Sequence, residues 1–252
     1  MILHPTVVLH LPRAPRPRAS TRAPRLRSTV VEGLVLDLPS GAVAGRRRAA
    51  RILDVVVASL ALVVLAPVMA VIAVVIACTS RGPMLFRQVR LGLHCRPFVM
   101  LKFRTMYVDS DDRLHREYVR QLLEDPPTAP RGPDGLYKLV DDPRITPVGR
   151  WLRRASLDEL PQLVNVLRGE MSLVGPRPAL PWEATLFGPR HSARFQVSPG
   201  ITGLWQISGR NRLTMTQALD LDVEYVERQC LRLDLTILIR TIPVVLGRKG
   251  AR

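Results

Sequence analysis

The sequence contains little lysine, cysteine or aromatic side chain. Three of its 37 basic residues are lysines (Lys102, Lys138 and Lys249), so the net charge of +16 is carried almost entirely by arginine. Its three cysteines lie far apart and form no C-x-x-C motif, which argues against a disulfide framework and a zinc site and favours a reducing compartment. Aromatic residues make up 5% of the chain, and no stacking platform for nucleic acid is apparent.

The arginine bias indicates partners that carry phosphate. A guanidinium group is a planar fork of donors that matches phosphate oxygens well. Nucleic acid, anionic lipid and phosphorylated small molecules all fit the charge at this point. A genome rich in G and C would also favour Arg over Lys, so the charge alone does not choose among these partners.

Residues 1–48 are predicted to form a disordered arm. The stretch LPRAPRPRASTRAPRLR is rich in Pro and Arg and has no period that could bury an apolar face. It also lacks the compact apolar core of a signal peptide. The arm fits either a cationic segment on anionic lipid or a solvated tail.

A run of 24 residues without charge, 55–78, is long enough to cross a bilayer. As a helix it would extend roughly 36 Å, against a hydrocarbon core of about 30 Å. Pro67 lies at its middle, where it removes a helical hydrogen bond, and arginines flank both ends of the run rather than one. These features favour a kinked re-entrant hairpin over residues 49–80, with both ends at the cytoplasmic face, over a helix that spans the membrane.

Residues 81–252 are predicted to form a small cytoplasmic domain of mixed α/β type, mainly helical. FRQVRLG and RPFVMLKFRTM predict strands, 124–135 predicts a Pro/Gly-rich loop, and apolar spacing predicts helices over 160–167 and 216–231. The segment LRLDLTILIRTIPVVLG is apolar but too charged to span, which predicts an amphipathic helix at the membrane interface.

Several basic residues lie in turns bounded by proline or glycine, where a stiff backbone would fix their direction. Arg177 lies between prolines in GPRP, and Arg210 closes PGITGLWQISGR, whose glycines permit the close approach of a ligand. A lone arginine is most often a solvated surface charge, but several in rigid turns indicate a site for more than one phosphate. The predicted substrate-binding residues are Lys102, Arg104, Arg144, Arg177 and Arg210.

Asp158 and Glu159 are adjacent acids in SLDELPQL, which follows three arginines closely. Ser156 and Glu159 fit an S-x-x-E capping box, which would begin a helix and aim Asp158. Among these cations a carboxylate is expected to have a depressed pKa and to stay ionised. It could hold Mg²⁺ together with substrate phosphate oxygens, or it could attack phosphorus as a nucleophile. The residues alone leave both roles open.

The blocks KFRTM, DPRITPVGRWLRRASLDELPQLVNVLRGEMSLVGPRP and PGITGLWQISGR resemble the signature of the bacterial sugar transferase family, over about residues 47–251. These are monotopic phosphoglycosyl transferases that begin the assembly of capsule, exopolysaccharide and O-antigen. The resemblance implies transfer of sugar-1-phosphate from a UDP-sugar to undecaprenyl phosphate, with release of UMP, at the cytoplasmic face of the bacterial inner membrane. It also implies a helix-breaking proline in the membrane hairpin, which Pro67 matches.

The same resemblance implies the roles of the acid pair. Asp158 would be the nucleophile that forms a covalent phosphosugar intermediate, Glu159 would assist it, and Mg²⁺ would be a cofactor held at Asp158. The arginine-bearing blocks would hold the diphosphate or the nucleotide. The chain departs from the family pattern at Cys95, where Gly is common, and at Glu170, where Asp is common.

Two other hypotheses remain at this point. One is a non-enzymatic membrane-anchored protein that binds nucleic acid or anionic lipid, although no nucleic-acid partner is expected from the motifs. The other is a phosphatase or nucleotidyl enzyme that uses the same acid pair. The sugar, the glycan pathway and the formation of a homo-oligomer stay open.

Overall fold

The structure, a computed structural model, describes residues 42–108, 117, 120, 142–209 and 213–246. The predicted arm up to residue 41, the predicted loop 124–135 and Arg210 lie outside the described residues. Residues 42–48, which were predicted to belong to the disordered arm, form the start of a helix instead. The described helices are α1 (Ala42–Thr79), α2 (Pro147–Arg154), α3 (Gln162–Arg168), α4 (Pro181–Ala184), α5 (Leu204–Ser208), α6 (Met215–Arg228) and α7 (Leu231–Leu246). The described strands are β1 (Leu85–Leu91), β2 (Pro97–Phe103), β3 (Ser172–Val174) and β4 (Gly200–Thr202). The expected mixed, mainly helical architecture is confirmed.

The two longer strands correspond to the two predicted strands, and they pair with each other. β1 and β2 are antiparallel, and their register joins Leu85 to Phe103 and Leu91 to Pro97. β3 and β4 form a short parallel pair in which Ser172 lies opposite Gly200. A Cβ at Gly200 would lie 2.1 Å from the backbone nitrogen of Gly175. From the sequence we expected Gly200 to permit the close approach of a ligand. In the structure, close packing of the chain's own backbone already requires a glycine here.

The predicted helices at 160–167 and 216–231 correspond to α3 and α6, with shifted ends. α6 begins after Thr214, whose hydroxyl accepts from the backbone N–H of Gln217 while the Gln217 side chain accepts from the backbone N–H of Thr214. This reciprocal capping box satisfies two donors that a helix start leaves unpaired. α7 confirms a helix in the last apolar segment, and it exposes a stripe formed by Leu235, Ile239 and Ile242.

α1 is one helix of 38 residues that includes Pro67. Its part from Arg48 to Thr79 is long and apolar enough to cross a membrane, as judged by length and composition. One side of the helix packs on the domain in two separate clusters. Ala58 lies among Phe98, Met100, Val166 and other residues. Ile72 and Ile76 pack with Phe103 and Leu152 in the second cluster. The opposite side of α1 exposes a row of valines and leucines that includes Leu60, Val63, Val64, Val71 and Val74.

Polar contacts fix both ends of α1 to the same domain. Near its start, Arg51 donates to the carbonyl oxygens of Val166 and Leu167, at 2.5 and 2.8 Å, in the last turn of α3. A cation is favourable there, because the last carbonyls of a helix carry partial negative charge. At the other end, Arg104 Nη2 donates to the backbone oxygen and the hydroxyl of Ser80, each at 2.7 Å.

Candidate active site

The acid pair lies in a short 3-10 turn, Leu157–Glu159, that precedes α3. Ser156 has φ +55° and ψ 20°, a left-handed conformation, and its side chain makes no capping hydrogen bond. A capping residue needs an extended backbone to direct its hydroxyl at the following N–H groups. The predicted capping box at Ser156 and Glu159 is therefore wrong, and α3 begins only at Gln162, after Pro161.

Asn165 holds α3 against β2 and so fixes the acid turn relative to the strand that carries Lys102. Its side chain is fully buried, and its Oδ1 accepts from the backbone N–H of Leu101 at 3.0 Å. Its Nδ2 donates to the Val99 carbonyl at 2.8 Å and to Glu170 Oε2 at 2.6 Å. Glu170, one of the two departures from the family pattern, thus completes this network.

Two cations flank the acids. Lys102 Nζ lies 2.8 Å from Glu159 Oε1 in a partly buried ion pair. Arg153, on α2, donates through Nε to Thr105 Oγ1 at 2.8 Å, and its charge also acts on Asp158. The turn therefore presents a carboxylate between positive charges that come from two different elements.

The environment raises the pKa of Asp158. Burial of the carboxyl is the largest cause, and the neighbouring Glu159 adds to it, while the charges of Lys102 and Arg153 act in the opposite direction. The expectation of a depressed pKa is wrong, because the loss of water around the carboxylate outweighs the nearby cations. A carboxylate with a raised pKa is more basic and shares its electron pair more readily than an ordinary aspartate.

A shallow cleft that opens to solvent lies beside Glu159. Arg90, Lys102 and Arg177 line it, together with the side chains of Gln162 and Gln206. Three cations in one cleft suit a ligand with several negative charges, such as a diphosphate.

Arg90 is almost fully buried. It donates to the Pro178 carbonyl at 3.0 Å and to Gln88 Oε1 at 2.8 and 3.1 Å. Burial, followed by the charge of Arg177, lowers the pKa of Arg90 to about 10, so the group is still cationic at neutral pH.

The structure brings some of the predicted substrate-binding residues together and separates others. Lys102 and Arg177 both line the cleft. Arg144 forms an ion pair with Asp142 at 2.7 Å, and both of their charges act on Arg153. Arg104 does not line the cleft and binds Ser80 instead.

Sequence reasoning missed Arg90 and Gln162. The sequence predicts Arg90 only as part of a strand and of the basic flank of the apolar run, although an arginine between Val89 and Leu91 was the available signal. Gln162 is 2% exposed, lines the cleft, and its Nε2 has no hydrogen-bond partner. Gln162 could have been found as a polar residue on the buried side of a helix that also carries Leu163 and Val166.

The number of carboxylates in the acid pair fits a magnesium ion. Within 42–108, 142–209 and 213–246 no three His, Cys, Asp or Glu side chains come together as a metal site. Mg²⁺ commonly takes one or two protein carboxylates and completes its shell with substrate phosphates and water. Asp158 and Glu159 supply that number of carboxylates beside a cleft suited to phosphate.

Comparison with known proteins gives a consistent result. The model of the family described as "Bacterial sugar transferase" matches residues 45–248. The exopolysaccharide production protein ExoY of Sinorhizobium fredii is 40% identical over 201 residues, which cover 80% of this chain and 87% of ExoY. A UDP-glucose:undecaprenyl-phosphate glucose-1-phosphate transferase of Caulobacter vibrioides is 42% identical over 209 residues, which cover 80% and 71%.

A third relative, the undecaprenyl-phosphate galactose phosphotransferase of Salmonella typhimurium, is 43% identical over 170 residues. The match covers 68% of this chain and 35% of that protein. The region that the family model matches includes the acid turn, the Arg177 turn and the β1–β2 pair. The resemblance of the signature blocks is thereby confirmed, and the chain belongs to the bacterial sugar transferase family.

Proposed function

We propose that this chain is a phosphoglycosyl transferase that moves sugar-1-phosphate from a UDP-sugar to undecaprenyl phosphate and releases UMP. The observation that carries the proposal is the buried Asp158, which the charges of Lys102 and Arg153 act on. Asp158 does not itself line the cleft, but the adjacent Glu159 lines it together with Lys102, Arg90 and Arg177. The relatives named for glucose-1-phosphate and galactose phosphate transfer to undecaprenyl phosphate support the same reaction class. The exopolysaccharide relatives support a role in the first membrane step of surface glycan synthesis.

In the first half-reaction, a carboxylate oxygen of Asp158 attacks the β-phosphorus of the UDP-sugar. The bond between that phosphorus and the bridging oxygen breaks, and UMP leaves with the electron pair. Lys102 and Arg177 hold the diphosphate and stabilise the charge that develops on its oxygens. Glu159 keeps Lys102 in place through their ion pair.

In the second half-reaction, a phosphate oxygen of undecaprenyl phosphate attacks the same phosphorus. The bond between Asp158 and phosphorus breaks, which restores the carboxylate and yields the lipid diphosphate sugar. Water must be kept from the intermediate, because hydrolysis would release sugar phosphate instead. The burial of Asp158 serves this purpose as well as raising its pKa.

The two acids and the phosphates of the donor fit a bound Mg²⁺. Such an ion would neutralise part of the diphosphate charge and polarise its oxygens. Asp158 is the predicted protein ligand, and Glu159 is its neighbour in the same turn.

The proposal is tested by UMP release from a panel of UDP-sugars, with and without undecaprenyl phosphate, using the full chain in a lipid nanodisc. We expect Asp158→Asn to abolish UMP release and Asp220→Asn, which changes a more exposed acid, to retain it. Full activity of Asp158→Asn would overturn the role of Asp158. Release of free phosphate or sugar phosphate in place of a lipid product would favour the phosphatase alternative.

The packing of α1 supports a re-entrant anchor at the cytoplasmic face of the inner membrane. Arg51 and Ser80 both contact the same domain, so a simple crossing would pull one end of α1 away from its partners. The exposed valines of α1 and the exposed stripe on α7 then face lipid. Pro67 lies at the middle of the uncharged run 55–78, inside the continuous helix α1, and is the proposed bend of the re-entrant segment.

Cysteine accessibility tests this topology. In a chain whose three native cysteines are replaced by serine, single cysteines at Arg48 and Arg81 should both react from the cytoplasmic side. Reaction from opposite sides of the membrane would indicate a spanning helix.

A further inference from the structure

The turn that carries Arg177 is held by hydrogen bonds at four successive carbonyl oxygens. The Pro176 oxygen accepts from Gly200 N at 2.9 Å, and the Ala179 oxygen accepts from Leu91 N at 2.9 Å. Between them, the Pro178 oxygen accepts from Arg90 Nη1 at 3.0 Å. The Arg177 oxygen itself accepts from Arg194 Nη2 at 2.6 Å.

Two of these four donors are arginine side chains, and they differ in their position. Arg90 lines the cleft and is able to contact a ligand directly. Arg194 does not line the cleft. It lies in the 3-10 segment Pro189–Gln196 and reaches the Arg177 turn from behind.

Arg194 is fixed on its other sides. Its Nη2 lies 2.7 Å from Asp222 Oδ2, and their side chains are 6% and 4% exposed. Its guanidinium lies over the rings of Phe187 and Phe195, at 5.1 and 5.9 Å from their centres. Asp222 stands on α6, so the position of the Arg177 backbone depends on a helix that lies outside the cleft.

A buried ion pair is not by itself a source of stability, because removing both charges from water costs about as much as their attraction returns. Arg194 also buries Nε without a hydrogen-bond partner. An apolar pair of the same size would fill this space at lower cost. What an apolar pair would not supply is the donor to the Arg177 carbonyl, since only a polar group can fix that oxygen.

We propose that Arg194, held by Asp222, is a positioning residue that directs the Arg177 side chain into the phosphate cleft. It does not line the cleft, and it acts through its hydrogen bond to the Arg177 backbone. The inference rests on the proposed function, because it assigns Arg177 to the diphosphate of the donor.

A second ion pair between the same two elements provides the control. Arg190 Nη2 lies 3.5 Å from Asp220 Oδ1, and the Arg190 side chain is 72% exposed. Arg190→Gln changes an arginine of the same segment without reaching the Arg177 turn. We expect it to leave activity and Tm unchanged.

The test is a double-mutant cycle on kcat/KM for the UDP-sugar, using the full chain in nanodiscs. Arg194→Met combined with Asp222→Leu removes both charges of the buried pair and the donor to the Arg177 carbonyl, so that neither an unpaired charge nor a substitute donor is left. We expect this variant to lower kcat/KM at least tenfold in the native background and less than twofold in a chain that already carries Arg177→Gln. Equal losses in both backgrounds would show that Arg194 acts independently of Arg177 and would overturn the proposal.

Binding of UDP to the same four proteins separates this proposal from the proposed reaction. Loss of UDP affinity should follow the same non-additive pattern whether or not any UDP-sugar is turned over. If UMP is never released but the binding cycle is non-additive, the proposed reaction fails and the positioning role stands. If both UMP release and UDP binding are normal in the Arg194→Met/Asp222→Leu chain, the positioning role is wrong.

Discussion

The cations of the cleft and the cations at the ends of α1 belong to one arginine-rich chain but have different environments. Lys102 and Arg177 line an open cleft that suits phosphate. Arg51 and Arg104 donate instead to backbone oxygens at Val166 and Ser80, in helix ends of the chain itself. Lys102 and Arg104 are only two positions apart in the sequence. The partner of a basic residue is therefore decided by the element packed opposite it and not by the motif that contains it.

Among the basic residues, the largest loss of kcat/KM is expected on changing a cation of the cleft. Arg177→Gln removes a cation that contacts the diphosphate in the proposed reaction, and we expect kcat/KM for the UDP-sugar to fall at least about 100-fold, which corresponds to roughly 2.7 kcal/mol of transition-state stabilisation. Steady-state UMP release measures this loss. A value within threefold of the native chain would place the diphosphate elsewhere.

A change at the start of α1 should affect stability and leave the chemistry almost intact. Arg51→Gln removes charged donors from the Val166 and Leu167 carbonyls, and we expect a loss of about 2 kcal/mol. That corresponds to a Tm lower by roughly 4–8 °C for a domain of this size. Arg48→Gln, at an exposed position of the same helix, is the matched control and should melt like the native chain. A large fall in kcat/KM at unchanged Tm would contradict the separation of the two groups of cations.

Much of the local structure was predictable from the sequence. The apolar run of α1, the strands β1 and β2 and the helices α3, α6 and α7 all follow from composition or periodicity, which depend on neighbours in the chain. The acid pair and Arg177 were found because their motifs are short and contiguous. These signals needed no knowledge of the tertiary fold.

The remaining features depend on contacts between distant residues. Arg90 meets Pro178 across 88 positions, and Arg104 meets Ser80 across a strand pair. The failed capping box at Ser156 depends on a left-handed backbone that no local motif required. The sign of the pKa shift at Asp158 depends on burial, which the list of nearby cations did not reveal.

The raised pKa of Asp158 predicts that function and stability oppose each other at this residue. The folded state binds the proton more tightly than the unfolded state, so the stability contributed by the neutral carboxyl is present at low pH and is lost as the pH rises through the folded-state pKa. Asp158→Asn should therefore melt at a higher temperature than the native chain at pH 7, with a smaller difference at pH 4. Thermal unfolding at both pH values checks this, and a lower Tm of the variant at pH 7 would contradict it.

The raised pKa of Asp158 also sets the acid limb of the pH–activity profile. Because only the carboxylate attacks phosphorus, kcat/KM should fall with decreasing pH through a pKa above the ordinary aspartate range. The pH profile of UMP release measures that limb. A limb at the ordinary value would mean that Asp158 is solvated in the free enzyme and would contradict the raised pKa.

The smallest effect is expected at Gln162, a neutral residue of the cleft. Gln162→Leu removes a buried Nε2 that lacks a partner, so Tm should stay level or rise. If that amide meets the donor, KM for the UDP-sugar should rise about fivefold to tenfold, the range of one hydrogen bond. An unchanged KM would confine donor recognition to the cations.

Trapping the intermediate on Asp158 tests most directly whether the reaction proceeds through a covalent phosphosugar. The full chain is incubated with a UDP-sugar in the absence of undecaprenyl phosphate, and its peptides are analysed by mass spectrometry. We expect one sugar-phosphate adduct on the peptide that contains Asp158 and a matching burst of UMP. Both should be lost in Asp158→Asn. Release of UMP with the adduct on another residue, or with no adduct while lipid product forms on adding undecaprenyl phosphate, would contradict it.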